Sequence, residues 1–214
     1  GVIVRTWGGA APAYHPAIVE RGKTNIDAKS RIARRAADLV NDGDTIMVEA
    51  GTTTAMIGKY LFGRQNLHVV TNSTLFVPYA RANPALDVTV TGGSFRAATE
   101  SVVGPITLAE LQRFHVRLAF VGTDGFSCNA GLTTHLVEGA EIVKAMAAAA
   151  DRTVVMADSS KYGKSGFVNV LPLDAIDVLI TDDALGDEAV AQITEAGIEV
   201  IRVPRERKGA KNGD

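Results

Sequence analysis

The chain has 214 residues, of which 46% are hydrophobic and 21% are charged, a balance typical of a globular domain that excludes a disordered chain. Its 22 basic and 24 acidic side chains give a net charge of −2, so the sequence has no basic excess of the kind that binds nucleic acid. Cys128 is the single cysteine, which excludes an internal disulfide and suits a reducing cytoplasm, and no apolar stretch approaches the ~20 residues that a membrane helix needs.

The N-terminal segment is predicted to be mostly irregular. Gly1 to Thr6 has the composition of a short strand, Trp7 to Ala10 is predicted to be a turn, and residues 11–23 are predicted to be a connecting segment because they contain prolines and glycine. Asn25 then stands where it can cap a helix that runs to about Val40. The first residue is Gly1 rather than Met and no signal-peptide pattern follows, so we expect a fragment or a processed chain.

From residue 44 onward, short apolar runs alternate with helical patterns. The predicted strands lie at 46–48, 67–70, 88–90, 118–121, 153–156, 178–180 and 199–203, and the predicted helices at 55–61, 74–81, 105–113, 138–150 and 187–195. Continuously apolar strands joined by helices indicate an α/β fold with an open, mainly parallel, Rossmann-like sheet and helices on both faces. We expect one domain over residues 11–204 and a frayed polar tail at 205–214.

The loop from Glu49 to Thr54 is the most informative stretch of the chain. It joins a predicted strand to a predicted helix and contains the acid Glu49, then Gly51 and the three threonines Thr52, Thr53 and Thr54. Such a joint is a common place for an anion in α/β proteins, because the first N–H groups of a helix have no partner within the helix. One threonine would suffice as a cap, so three in a row predict a ligand-binding loop.

Polar loops follow at least four other predicted strands. The carboxyl ends of parallel strands meet along one edge of a sheet, so we predict a pocket there for an anionic ligand with hydroxyl groups. Lys161 is the candidate cation, and Asp158 can either hold its ammonium or bind a hydroxyl itself. Each loop alone has a simpler explanation as a cap, a turn or a solvated lysine. Besides the Glu49 loop, the predicted ligand-binding residues are Asn72, Ser73, Gly92, Gly93, Gly122, Asp124, Gly125, Asp158 and Lys161, and Arg96 is a second candidate cation.

Several other chemistries have no support in the sequence. The histidines at positions 15, 68, 115 and 135 are scattered without ligand spacing, so no metal site is predicted. No Gly-x-Gly-x-x-Gly follows a strand and no Gly-Lys-Ser/Thr phosphate loop is present, so no nucleotide cofactor is expected. Cys128 is predicted to be a buried and inert thiol.

With these loops placed, the sequence resembles the effector-sensing domain of the DeoR family of bacterial sugar-operon repressors. The resemblance covers nearly the whole chain, and its motifs occur in the family's order. Asp-Ser-Ser-Lys-Tyr-Gly at 158–163 and Gly-Thr-Thr at 51–53 are the most diagnostic of them. The other matching stretches are Trp-Gly-Gly-Ala at 7–10, Glu-Ala at 49–50, Val-Thr-Asn-Ser at 70–73, Gly-Gly at 92–93, Gly-Thr-Asp-Gly at 122–125 and Thr-Asp at 181–182.

The resemblance implies a fold like that of ribose-5-phosphate isomerases, a phosphorylated sugar as effector, and assembly into homo-oligomers. It also implies that a winged helix-turn-helix precedes the chain, with residues 1–10 as the tail of that domain. Operator DNA would then be a partner of the full-length protein and not of this fragment. The chain departs from the family at Glu49-Ala50, where Asp-Ser is more usual, and this change could retune which sugar fits.

Two enzymatic alternatives stay open beside the regulator. A sugar-phosphate isomerase or aminosugar-phosphate deaminase would share the fold, with Asp124, Glu138 and Lys161 as candidate base, acid and cation. An acyl-CoA transferase with Glu49 as nucleophile has only the residue type in its favour. Glu138 is explained more simply as an acid at a helix start, so we expect a regulator without catalytic residues.

Overall fold

The computed structural model describes residues 3–6, 9–12 and 14–205, with side chains from residue 14 onward. The strands are β1 (Ile3–Thr6), β2 (Gly9–Pro12), β3 (Thr45–Val48), β4 (Leu67–Thr71), β5 (Leu86–Val90), β6 (Ser94–Arg96), β7 (Ser101–Val103), β8 (Val116–Val121), β9 (Gly125–Ser127), β10 (Gly131–Thr134), β11 (Ala150–Met156), β12 (Val168–Asn169), β13 (Val178–Asp182) and β14 (Glu199–Val203). The α-helices are α1 (Pro16–Lys23), α2 (Ile26–Ala37), α3 (Val77–Ala82), α4 (Pro105–Leu111), α5 (Val137–Ala148) and α6 (Asp187–Glu195), and 3-10 helices cover Ala55–Tyr60, Ser159–Lys161 and Leu173–Ala175.

The centre of the fold is a seven-stranded sheet in the order β14-β13-β11-β8-β3-β4-β5, with every neighbouring pair parallel. The chain builds outward from β3 through β4 to β5, then returns to place β8 on the other side of β3. This reversal opens a crevice beyond the carboxyl ends of β3 and β8, which is where ligands bind in open α/β sheets. The predicted parallel sheet is confirmed.

Two apolar cores cover the two faces of this sheet. Along β3, Ile46 and Val48 pack with α2 and the Ala55–Tyr60 helix, whereas Met47 packs on the opposite face with α5. Successive side chains of a strand point to opposite faces, so a strand that is apolar throughout must be covered on both sides. Helices on both faces were predicted from this pattern and are confirmed.

Two smaller sheets were not predicted. Strands β9, β10 and β12 form a three-stranded antiparallel sheet in the order β12-β10-β9, and β6 pairs with β7 in a hairpin. These strands have only two to four residues each, too few for an apolar alternation to stand out in the sequence. They add antiparallel layers beside the carboxyl edge of the large sheet.

The N-terminal prediction needs the largest correction. Residues 16–23, predicted to be a connecting segment, form α1, because Pro16 occupies the first turn, where its missing N–H has no cost. Gly9 and Ala10, predicted to be in a turn, belong to β2, which pairs with β1. The predicted roles of Trp7 and Gly8, and of the tail at 206–214, lie outside the described residues.

Helix boundaries also differ from the predictions. The stretch after Thr54 is a 3-10 helix rather than an α-helix, α2 ends at Ala37 instead of near Val40, and α3 begins at Val77 rather than at residue 74. Asn25 precedes α2 as predicted, but its side chain makes no capping bond and its backbone is left-handed, with φ of 53°. In the part of the chain described here, no helix is long and apolar enough to cross a membrane.

Candidate functional site

A cleft of about 1050 Å³ lies beyond the carboxyl ends of β3 and β8. Its walls come from the loops after these strands and after β11, from the β6–β7 hairpin, and from the segment that holds α1 and the start of α2. Ten of the fourteen predicted ligand-binding residues line the cleft: Glu49, Gly51, Thr52, Thr53, Thr54, Asn72, Gly122, Asp124, Asp158 and Lys161. The strand order therefore brings together loops that are far apart in the sequence.

Glu49 lies at the junction of β3 and β8. Its Oε2 accepts a hydrogen bond of 3.1 Å from the backbone N–H of Gly122, which follows β8. Burial raises the pKa of Glu49 to about 7, with the Gly122 hydrogen bond and the charge of Arg21 acting in the opposite direction and Asp124 adding to the increase. A carboxyl with this pKa holds a proton part of the time near neutral pH, so Glu49 can donate as well as accept a hydrogen bond.

The loop from Gly51 to Thr54 presents backbone donors without partners. Within the described residues, none of its four N–H groups donates a hydrogen bond. Thr54 is different from its neighbours, because it is fully buried and its hydroxyl donates to the Gly51 carbonyl at 3.2 Å. The Thr53 hydroxyl has no partner among the described residues, and the Thr52 hydroxyl, which accepts from Lys29 Nζ, can still donate.

Lys29 on α2 brings a cation to this loop, and sequence reasoning missed it. Only 5% of the residue is exposed, and its Nζ donates to the Arg21 carbonyl at 2.6 Å and to Thr52 Oγ1 at 3.1 Å. Burial lowers the pKa of Lys29, and the charge of Asp158 opposes this while Lys161 and Arg21 reinforce it. The covered face of an amphipathic helix is normally apolar. The signal available in the sequence was therefore a lysine, Lys29, at a position on that face.

Arg21 and Asp124 form an ion pair across the cleft, and Arg21 was also missed. Arg21 Nη2 donates to Asp124 Oδ1 at 3.1 Å, while Asp124 Oδ2 accepts from Thr134 Oγ1 at 2.8 Å and from the His135 N–H at 3.1 Å. Burial alone would raise the pKa of Asp124, but the Thr134 hydrogen bond, the Arg21 charge and the His135 N–H together hold it below its usual value. Asp124 is therefore ionised near neutral pH.

Asp158 and Lys161 sit on the loop after β11. Asp158 Oδ1 accepts from Asn25 Nδ2 at 2.8 Å and from the Ser160 N–H at 3.2 Å, so the carboxylate is bound to the α1–α2 joint. The predicted contact between Asp158 and the Lys161 ammonium is not formed. The Lys161 side chain makes no hydrogen bond or ion pair with any described residue, and it lines the cleft.

Asn72 holds two neighbouring segments of the cleft together. The residue is 1% exposed, its Oδ1 accepts from the Ala50 N–H at 2.9 Å, and its Nδ2 donates to the Val102 carbonyl at 3.1 Å. These bonds tie the Glu49 loop to the β6–β7 hairpin. The side chain predicted to read sugar hydroxyls is thus engaged in holding the loop in place.

Four predicted residues are not part of the cleft lining. The Gly92 N–H donates to Glu110, and its carbonyl accepts from Thr107. A Cβ at Gly93 would lie 2.3 Å from Thr107 Oγ1, and one at Gly125 would lie 2.1 Å from the Lys164 carbonyl oxygen. These glycines allow close packing of loops against neighbouring elements. The fourth, Ser73, is buried, and its hydroxyl has no partner among the described residues.

The remaining candidates have local explanations. Arg96 lines the cleft but forms an ion pair with Glu138 in the first turn of α5, so neither side chain is free. Cys128 is half-buried rather than fully buried, with Gln192 Oε1 3.9 Å from its Sγ. The described residues contain no group of three or more metal-ligating side chains that could hold an ion.

Comparison with known proteins places the chain in a family. A family model described as the DeoR C terminal sensor domain matches residues 24–183. The chain belongs to this family. The putative aga operon transcriptional repressor of Escherichia coli O157:H7 is 27% identical over 209 residues, which cover 95% of this chain and 78% of that protein. The HTH-type transcriptional regulator GlpR of Haloferax volcanii is 32% identical over 208 residues, covering 94% and 80%.

The fold of the chain is also similar to that of solved structures. A chain of the tetrameric eIF2B-beta2-delta2 complex from C. thermophilum has a TM-score of 0.52 at 13% identity, over 72% of this chain and 55% of that one. Ribose 5-phosphate isomerase A from Methanocaldococcus jannaschii has a TM-score of 0.48 at 21% identity, over 65% and 55%. The chain spans a little over half the length of these proteins, and at such identity the likeness concerns the fold alone.

Proposed function

We propose that this DeoR sensor domain binds a phosphorylated sugar and that the sugar phosphate modulates DNA binding by a winged helix-turn-helix N-terminal to the chain. The observation that carries the proposal is the loop from Gly51 to Thr54, whose four N–H groups are unbonded within the described residues and lie beside Lys29. Backbone N–H groups next to a lysine match the oxygens and the charge of a phosphate monoester. Lys161, also without a partner in the described chain, supplies a second positive charge.

The sugar would be read by the two carboxyl groups Glu49 and Asp124. Glu49 can donate or accept there, depending on its protonation, and ionised Asp124 can accept from a hydroxyl in addition to its present donors. Asn72, Ser73, Gly92, Gly93 and Gly125 would act through the fold rather than by touching the ligand. The volume of the cleft, about 1050 Å³, accommodates a sugar phosphate with several waters.

The regulatory part of the proposal rests on the relatives. GlpR of Haloferax volcanii is named an HTH-type regulator, and the chain covers 80% of it, which leaves room for a DNA-binding segment. The residues at 1–10 would then be the tail of that segment, and the full-length protein a cytoplasmic homo-oligomer acting on operons of carbohydrate metabolism. Sugar phosphate would shift the oligomer between DNA-binding states only to the extent that these states differ in ligand affinity.

The isomerase alternative is less favoured by the geometry. Its candidate base, Asp124, is held by three donors and has a lowered pKa, which weakens it as a proton acceptor. Its candidate acid, Glu138, pairs with Arg96. We therefore propose a binding domain without catalysis of its own.

A thermal-shift screen tests the proposal. The chain is melted with a panel of sugar phosphates, each paired with its unphosphorylated sugar. A ligand at ~100 times its dissociation constant stabilises by about 2.7 kcal/mol, which raises the melting temperature of a domain of this size by roughly 5–10 °C. We expect a shift with one phosphorylated sugar, none with its free partner, and no conversion of the bound sugar. Turnover of that sugar would favour the isomerase, and a panel without any shift would refute the proposed ligand class.

A further inference from the structure

Lys29 contacts more than the proposed phosphate loop. Its ammonium joins two elements at once, because it donates to the Arg21 carbonyl in the last turn of α1 and to Thr52 on the ligand loop. The same group therefore contacts the wall that would hold the anion and the helix that borders the cleft.

The charge of Lys29 is unbalanced. A buried ammonium is normally paired with a carboxylate, yet within the described residues no carboxylate lies at ion-pair distance from Nζ. Both of its acceptors are neutral oxygens, and among the charges that act on it Asp158 is negative whereas Lys161 and Arg21 are positive. An ammonium has three donors and two are used, so one donor and most of the charge remain for an anion in the cleft.

Helix α1 has little buried apolar surface among the described residues. Ile18 is its single buried side chain there, and Ala17 and Val19 are half-buried. At the cleft it makes the Arg21–Asp124 ion pair and accepts the bond from Lys29 to the Arg21 carbonyl. A helix with little buried surface opens at a low free-energy cost, so these polar contacts contribute to how firmly it stays in place.

We infer that Lys29 is a ligand-binding residue that couples anion occupancy of the cleft to the seating of α1. This inference rests on the proposed function and adds a mechanical link to it. An anion on the Gly51–Thr54 loop fixes the Lys29 ammonium, and the fixed ammonium fixes the carboxyl end of α1. Because α1 follows the β1–β2 hairpin in the chain, ligand occupancy is transmitted towards the N-terminal segment.

The test uses inorganic phosphate as the probe, up to ~100 mM at constant ionic strength so that general screening does not change. Phosphate affinity is measured by calorimetry, and hydrogen exchange of the α1 amides is followed by mass spectrometry with α6 as internal reference. The variants are Lys29→Gln, which keeps a donor for the Arg21 carbonyl but no charge, Lys29→Arg, which restores the charge, and Lys23→Met on the exposed surface of α1 as matched control. Lys161→Ala reports on the proposed site independently.

In the wild-type chain we expect phosphate to slow α1 exchange about tenfold and to leave α6 unchanged. Lys29→Gln is expected to lose roughly ten- to hundredfold in phosphate affinity, the range for a charged hydrogen bond, and to lose the α1 protection at saturating phosphate. Lys29→Arg recovers most of the affinity, and Lys23→Met behaves as wild type.

Three results would overturn the inference. Phosphate binding that Lys161→Ala weakens but Lys29→Gln does not would leave the proposed function standing and remove Lys29 from the site. Phosphate binding to wild type without slower exchange in α1 would remove the coupling, and this measurement holds even if Lys29→Gln fails to fold. No phosphate binding to the wild-type chain would refute the proposed site together with the inference.

Discussion

The protonation of Glu49 yields a prediction that can be worked through quantitatively. Its pKa rises from about 4.5 to about 7 on folding, because the carboxyl is buried at the junction of β3 and β8. The perturbation is Glu49→Gln, which keeps the size of the side chain and an oxygen that can accept from the Gly122 N–H. It removes only the ability to ionise.

The direction in which stability changes with pH follows from whether the folded or the unfolded chain holds the Glu49 proton more tightly. Below pH 4.5 Glu49 is protonated in both the folded and the unfolded chain, and the carboxyl carries no penalty. As the pH rises towards 7 the unfolded chain ionises first, so the folded state loses stability, and above pH 7 the whole penalty is present. Each pKa unit corresponds to about 1.4 kcal/mol, so at pH 8 ionised Glu49 costs roughly 3 kcal/mol.

Glu49→Gln should therefore be more stable than wild type at pH 8, by roughly 3 kcal/mol or about 6–12 °C in melting temperature. At pH 5 the difference should shrink to less than about 1 kcal/mol. The assay is urea unfolding of both chains across this pH range. Other carboxyls, such as Asp124, titrate in both chains, so the difference between them isolates Glu49.

A stability difference that does not change between pH 5 and pH 8 would refute the reasoning. It would mean that the Glu49 carboxyl is better solvated than its place beside Gly122 implies. A variant that is less stable than wild type at pH 8 would show that ionised Glu49 has a favourable partner in the cleft, with Arg21 the nearest cation acting on it.

The remaining predictions concern the ligand loop and its neighbours. Lys161→Ala should weaken binding of the phosphorylated sugar by roughly ten- to hundredfold and leave binding of the free sugar unaffected. Lys144→Ala, outside the cleft, is the control. Equal losses of affinity for both ligands would remove Lys161 from the phosphate site. Thr53→Val should reduce the affinity for the phosphorylated sugar up to about tenfold. The melting temperature should change little, because the Thr53 hydroxyl has no partner among the described residues. A large loss of stability would indicate a capping role instead. Gly93→Ala should destabilise the folded state by roughly 1–3 kcal/mol or more, because φ is 134° and the new methyl meets Thr107. The ligand affinity of the folded protein should persist. Weaker binding at full stability would place Gly93 in the site.

The sequence was sufficient to predict the central sheet because its strands carry short apolar runs. The inner strand β3 is buried over residues 46–48, and a strand that is buried on both faces shows itself in its own residues. The edge strand β14, at Glu199–Val203, was predicted with its observed limits although Glu199 and Arg202 are exposed, and the loops after β3, β8 and β11 were placed at one edge correctly. The small antiparallel strands lack such a signal.

The cations of α1 and α2 could not be predicted in the same way. Arg21 reaches Asp124 across 103 positions in the chain, and Lys29 reaches Thr52 across 23. Both helices come before the first strand of the large sheet, so the rule that places loops at the carboxyl edge says nothing about them. Asn72 lies in the cleft lining as predicted, but its bonds to Ala50 and Val102 depend on the tertiary fold and could not be read from its residue type.

The pairing of β3 with β8 has a consequence for biosynthesis. Glu49 and Gly122, which are hydrogen-bonded to each other in the cleft, are 73 positions apart. Strands β3, β4 and β5, in contrast, are neighbours in the chain and can pair as soon as they are synthesised. Distant pairings form late because closing a long loop costs entropy before the contact repays it. A ribosome-bound chain can therefore contain the Gly51–Thr54 loop before a binding site has formed. Under the proposed function, the binding site is complete only after β8 has docked and the loop with Asp158 and Lys161 has followed, so ligand binding reports that synthesis has passed these residues.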